Sequence, residues 1–185
     1  MTNEHRSHEE LLKQIIEIEI DMFERVRTTE PSLCKDTPET FKTMRRMSHS
    51  ILSTETLESY LGDLQKANAA GRNLLTEKYA RMDNIIPPLK VNPTIGKIVE
   101  MEERWMKELS EKYPYTFSKR GDEFRIYLSS ELETYSDKTL ELYLNEVSKA
   151  DGEGRNLAEE QYTMLFQQIG YNSIDEVESK ARSKE

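Results

Sequence analysis

The second half of this chain repeats its first at a fixed offset of 83 residues. Ser53–Tyr79 lies over Ser136–Tyr162 without a gap, and 14 of those 27 positions are identical. Average composition would give about two matches by chance. The same offset pairs Ile15 with Ile98, Glu17 with Glu100, Glu19 with Glu102, Pro31 with Pro114 and Phe41 with Phe124. Self-similarity at one spacing marks a duplicated unit and constrains the fold more than any local motif. It predicts one domain built of two copies, about 8–83 and 94–169. A Pro-rich linker, 84–93, joins them, and a peripheral terminal helix follows over 173–184, capped by Ser173.

The apolar period is helical almost throughout. Leu12, Ile15, Ile16, Met22, Phe23 and Val26 recur at three- and four-residue spacing, which predicts a helix over His8–Thr28. Thr37 before Pro38 is a good N-cap signal for a helix running to Ser50. Leu57, Tyr60, Leu61, Leu64, Ala67, Leu74, Leu75 and Met82 predict one long helix over Ser53–Met82. The plan recurs as helices over Thr94–Lys112, near Gly121–Ser130, and from Ser136 to Ile169, with Gly170 as the last one's terminator. Only Arg125–Leu128 has any strand character, and its counterpart, Lys42–Arg45, reads as helix. The fold class is therefore all-α: an internally duplicated, pseudo-two-fold helical bundle. A three-helix unit is too thin to bury both faces of its long helix, so the copies must dock on each other. Gly71 and Gly154 fall inside the expected long helices, where glycine costs about 1 kcal/mol relative to alanine. Their presence in both copies predicts a close helix crossing.

At 185 residues, with 33% charged and 36% hydrophobic, the chain can bury a sizeable core. No run approaches the roughly 18 apolar residues of a membrane span. The opening MTNEHRSHEELLKQ lacks the apolar centre of a secretory signal, so a cytoplasmic location is expected. The net charge is −9, and the basic dipeptides Arg45–Arg46 and Lys119–Arg120 stand among acids. That pattern speaks against nucleic acid, which demands clustered Lys and Arg. Cys34 is the single cysteine, so neither an internal disulfide nor a CxxC metal site can form. It reads either as a packed loop residue or as a thiol in need of a base, for which His49 is the one non-terminal histidine.

Glu19 and Glu102 are the main anomaly. At 100° per residue each falls inside its helix's apolar stripe, Glu19 between Val26 and Leu12, Glu102 between Leu109 and Ile95. Arg72 and Tyr79 lie at the edge of the long helix's stripe, and Arg155 and Tyr162 repeat them. Lys66, Asn73 and Glu77 form a second polar face repeated by Lys149, Asn156 and Glu160. One reading is structural: Glu19–Arg72 and Glu102–Arg155 as buried ion pairs that define register. The other is a paired site at the repeat interface. There the two carboxylates would be acid–base or cation-binding groups, because apolar surroundings raise a carboxyl pKa. Arg72 and Arg155 would hold a small anionic ligand, with Tyr60, Tyr79, Tyr143 and Tyr162 as hydroxyl donors. A metal is disfavoured, because helical di-metal sites use Glu-x-x-His pairs and none of these acids has a histidine at that spacing; an all-oxygen set of Glu19, Glu102, Glu77 and Glu160 is the remaining option. The repeat is also broken where Cys34 faces Phe117, Arg45 faces Leu128 and His49 faces Leu132. A single active centre would lean toward that first-copy segment.

Several stretches resemble a bacterial family known as domain of unknown function 4125. In the first half they are Met22–Phe23, Cys34, Asp36, Thr40–Phe41, Met44–Arg45, Ser48, Ser59–Tyr60, Asp63–Leu64 and the run GRNLLTEKYARM ending at Met82. In the second they are Trp105–Met106, Lys112–Tyr113–Pro114, Glu131–Leu132, Thr134–Tyr135–Ser136 and Gly170–Tyr171. The family carries no assigned activity, so the resemblance supplies no mechanism and leaves any cofactor open. It implies Gln at two positions occupied here by Lys35 and His49. The leading functional reading is a small-molecule or anion site of paired Glu and Arg, binding or catalytic. The alternative is an interaction or scaffold protein that uses the Lys66–Asn73–Glu77 face and its copy, with self-association into a homo-oligomer as one form.

Overall fold

The computed structural model describes residues 6–26, 38–117 and 122–183. Cys34, the Thr37 cap and the Lys119–Arg120 pair lie outside them. Nine helices and no strand occur among the described residues: α1 (His8–Glu24), α2 (Pro38–Ser50), α3 (Thr54–Ala69), α4 (Leu74–Met82), α5 (Pro93–Lys112), α6 (Asp122–Leu132), α7 (Asp137–Gly152), α8 (Leu157–Gln168) and α9 (Ile174–Arg182). The protein is all-α, and Arg125–Leu128 lies inside α6. None of these helices is long and apolar enough to cross a membrane.

The expected long helices are each two helices. Gly71 and Gly154 adopt φ of +70° and +69°, the left-handed conformation that ends a helix. The next amide folds back, Arg72 N–H onto the Ala67 carbonyl at 2.8 Å and Arg155 N–H onto that of Ala150 at 2.9 Å. Asn73 and Asn156 then restart the chain as N-caps, accepting from the Thr76 and Glu159 amides. Their side-chain amides reach across to the carbonyls of Met22 and Trp105, at 2.7 and 3.1 Å. A Cβ added at Gly71 or Gly154 would meet nothing within 4 Å. These glycines therefore serve a break in the chain, not a close helix crossing. The identities shared around Gly-Arg-Asn are those of a stop-and-restart corner.

The helix pairings fall in matched sets. α1 packs on α2, α3 and α4, and α5 packs on α6, α7 and α8; α4 lies against α6, α2 against α8, and α3 against α7. The α3–α7 contact is closed reciprocally. Glu146 of α7 accepts from the Ser53 amide at 3.1 Å and from the Ser53 and Thr56 hydroxyls at the start of α3. Asp63 of α3 accepts from the Ser136 amide at 2.9 Å and the Thr139 hydroxyl at 2.6 Å at the start of α7. Each carboxylate sits where a helix N-terminus favours negative charge. The segment between α4 and α5 is pinned to the α6–α7 corner: Glu133 binds Arg81 through both oxygens and accepts from the Leu89 amide. α9 is capped by Ser173 and buries Ile174.

Because the space beside both glycines is open, only backbone strain opposes a side chain there. Gly71→Ala and Gly154→Ala should each cost about 1 kcal/mol, and the double variant close to their sum. Urea denaturation measures this. A loss of several kcal/mol at either position would mean the glycine is needed for packing.

Candidate functional site

Four buried charges form a continuous chain through the middle of the molecule. Glu19 of α1 is fully buried and grips Arg45 of α2 at both oxygens, with N–O distances of 2.9 and 2.6 Å. Arg45 also binds Glu131 of α6 at 3.1 and 2.8 Å, and Glu131 takes Lys78 of α4 at 2.5 Å. His49 Nε2 lies 3.1 Å from Glu19, and the Tyr60 hydroxyl donates to Glu19 at 2.7 Å. The Tyr135 hydroxyl donates to Glu131 at 3.1 Å. Lys78 Nζ sits 3.6 Å above the Tyr127 ring centroid. Among the described residues, no buried side-chain polar atom lacks a partner. Burial alone would raise the Glu19 carboxyl, but Arg45 and His49 beside it hold it far below the usual carboxylate range. Glu131 is held low in the same way, by Arg45 and Lys78 against the effect of burial.

Glu102 of α5, at the position matching Glu19, has a different environment. Its described partner is the Tyr143 hydroxyl, which donates to it. No salt bridge reaches it among the described residues. The positions that match Arg45 and His49 are Leu128 and Leu132, both buried. Burial, with the Glu131 charge nearby, raises the Glu102 carboxyl to about 7; the Tyr143 hydrogen bond opposes only part of this. Environments that drive two carboxyl pKa values apart are what acid–base sites are built from.

Glu102 lines a cavity of about 950 Å³ between α2, α4, α5, α6, α7 and α8 that opens to solvent past Met44, Ile126 and Tyr127. Arg45, His49, Lys78 and Glu131 supply its charged wall. Tyr79, Tyr127, Tyr135, Tyr143 and Tyr162 supply rings, and Met44, Met47, Met82 and Met106 supply adaptable apolar surface. Glu19 and Tyr60 lie behind this wall and do not line it.

Of the residues singled out from the sequence, the structure brings Glu19, Arg45, His49 and Tyr60 together, and places Glu102, Tyr143, Tyr79 and Tyr162 around the adjoining cavity. It does not pair Glu19 with Arg72 or Glu102 with Arg155. Arg72 binds Glu77 at 2.8 and 2.7 Å, and Arg155 binds Glu160 at the same distances, on the surface beside each helix break. The cause is the break itself, which turns both arginines off the apolar stripe. Asn73 and Asn156 are caps and take no part in the cavity. The carboxylates of Glu19, Glu102, Glu77 and Glu160 are not gathered: two are taken up in surface pairs and one is sealed against Arg45. Among the described residues, no three His, Cys, Asp or Glu are arranged to hold a metal ion.

Lys78, Tyr127, Glu131 and Tyr135 were not singled out from the sequence for the site. Their matching positions hold Gln161, Met44, Ser48 and Leu52. Identity between the halves pointed to caps and corners. Difference between them would have pointed to the cavity.

The two carboxylates make opposite predictions. Glu19 holds its proton less tightly in the folded chain, so the stability it contributes is present above about pH 4.5 and lost below it. Glu102 holds its proton more tightly, so its contribution is full below pH 4.5 and falls as pH rises to about 7. Glu19→Gln should cost about 3 kcal/mol or more at pH 7, by leaving a buried guanidinium short of charge. Glu102→Gln should abolish the decline between pH 4.5 and 7 and be at least as stable as the parent at pH 8. Denaturant titrations at pH 3, 4, 5, 6, 7 and 8 check both. Parallel curves for parent and Glu102→Gln would refute the second expectation.

No curated protein and no solved structure matches the chain. The family model described as "Protein of unknown function (DUF4125)" matches residues 9–179, nearly the whole chain, and the protein belongs to that family.

Proposed function

We propose that the protein binds a small organic molecule in the cavity between α2, α4, α5, α6, α7 and α8, and that Glu102 changes its protonation state with that binding near neutral pH. The observation that carries this reading is the contrast between the two stripe-facing acids. Glu19 is closed by Arg45, His49 and Tyr60, whereas Glu102 opens on a cavity with one tyrosine hydroxyl as its described partner. A cavity of about 950 Å³, mostly apolar with a few convergent polar groups, is of the size and character of small-molecule sites. A carboxyl group that titrates near 7 is matched to general acid or base work at physiological pH.

The reading includes an internal duplication with a pseudo-two-fold relation between the halves. It is supported by the 83-residue self-match, the matched helix pairings and the reciprocal Glu146 and Asp63 caps. On this reading one copy of the site became a sealed ion-pair core, and the other kept its carboxyl open. The interaction-surface alternative gains nothing from the Asn73 and Asn156 face, because capping accounts for both asparagines.

Saturation-transfer NMR against a library of small polar and aromatic metabolites tests the reading. Met44→Trp and Met106→Trp narrow the cavity, and Lys66→Trp on the exposed face of α3 is the control. Compounds that bind the parent and the control should lose binding in both cavity variants. A library without binders, or binders indifferent to the cavity variants, would overturn it.

A further inference from the structure

The chemical class of that ligand follows from the charges the cavity wall leaves open, an inference that rests on the binding reading above. The cations of the wall are already answered. Arg45 is shared between Glu19 and Glu131, and Lys78 is held by Glu131 and the Tyr127 ring. Neither offers a free charge to an anion. The acids are not equally answered. Among the described residues, Glu102 and Glu123 both line the cavity and neither takes part in a salt bridge. Three groups able to carry positive charge in the first half, Arg45, His49 and Lys78, are matched in the second by Leu128, Leu132 and Gln161, all of which line the cavity.

We infer that the cavity takes an organic ammonium ion, whose charge pairs with Glu102 and stands where the first half supplies its own cation. The wall already shows how such a group is held, because Lys78 places its ammonium between a carboxylate and the face of Tyr127. Tyr143 stands beside Glu102 and Tyr162 also lines the cavity, and ring faces attract cations most when water is excluded. A bare metal ion fits less well, since Glu102 and the Tyr143 hydroxyl are too few oxygens for a hard cation. An ammonium group with an apolar body fits both the single carboxylate and the methionine-rich wall. Pairing with it favours the ionised carboxylate, so binding expels the Glu102 proton to solvent.

Three probes that share one skeleton and differ in charge test this: 4-phenylbutylamine, 4-phenylbutanol and 4-phenylbutyrate. Calorimetry in buffers of different ionisation enthalpy reads affinity and proton release together. The amine should bind tightest and release most of a proton per ligand at pH 6 and close to none at pH 8.5, as a carboxyl titrating at about 7 requires. Glu102→Gln, checked for folding by circular dichroism, should weaken the amine by roughly thirtyfold or more and abolish proton release. Tyr143→Phe keeps the carboxylate and should retain the preference for the amine. If the alcohol or the acid binds as well as the amine and is displaced by Met106→Trp, the ammonium inference fails and the small-molecule cavity stands. If none of the three binds, or the amine binds Glu102→Gln unchanged, the inference fails, and the metabolite screen decides the cavity by itself.

Discussion

The buried grip of Glu19 on Arg45 is the contact on which the arrangement of the helices depends. Removing two charges from water costs several kcal/mol each, and only complete partnering offsets it. Completion here requires groups from four helices. α1 brings Glu19, α2 brings Arg45 and His49, α6 brings Glu131 and α4 brings Lys78. A shift of any of these helices by one turn would leave a charge unanswered. The loss would rival a large share of the 5–15 kcal/mol that holds an ordinary domain together. The apolar core around Leu11, Ile15, Leu57 and Leu64 supplies the driving force for collapse, and the charge chain specifies which collapsed arrangement is adopted.

That specification is unequal between the halves. The first half spends its polar side chains on closing Glu19. The second puts Leu128 and Leu132 at the corresponding places and leaves Glu102 facing a cavity with Tyr143. The same residue at matching helix positions is therefore a fixed anion on one side and a group titrating near neutrality on the other. Glu19 is fully buried and Glu102 half-buried, and only Glu19 has a cation beside it. The difference is a matter of partners on the next helix, α2 or α6, with no local change in the helix that carries the acid.

Much of the fold was legible in the sequence. Helical periodicity placed α1, α2, α5, α6 and α9 to within a few residues, and Ser53, Ser173 and Gly170 act as expected at helix ends. The long helices were misjudged because the stripe runs on through Gly71 and Gly154. Period alone does not register a corner that preserves phase. The signal was present in Gly followed two residues later by Asn, a terminator and then a cap. Site residues were legible only in part. Glu19 and Glu102 stood out as charges within apolar stripes, and Arg45 and His49 as breaks in the repeat. Arg72 and Arg155 were assigned to the core because a continuous helix would carry them there. Lys78 and Glu131 escaped notice because each looks, along its own helix, like an ordinary charged residue.

What the sequence by itself determined is the helical class and the presence of two acids in apolar stripes, because these are properties of spacing along one chain. Only the tertiary structure decided which cation meets which acid. That choice depends on α1 packing on α2 and α4 on α6, contacts between residues far apart in the chain that no local periodicity encodes. The same packing leaves Glu102 at the cavity wall while burying Glu19 behind it.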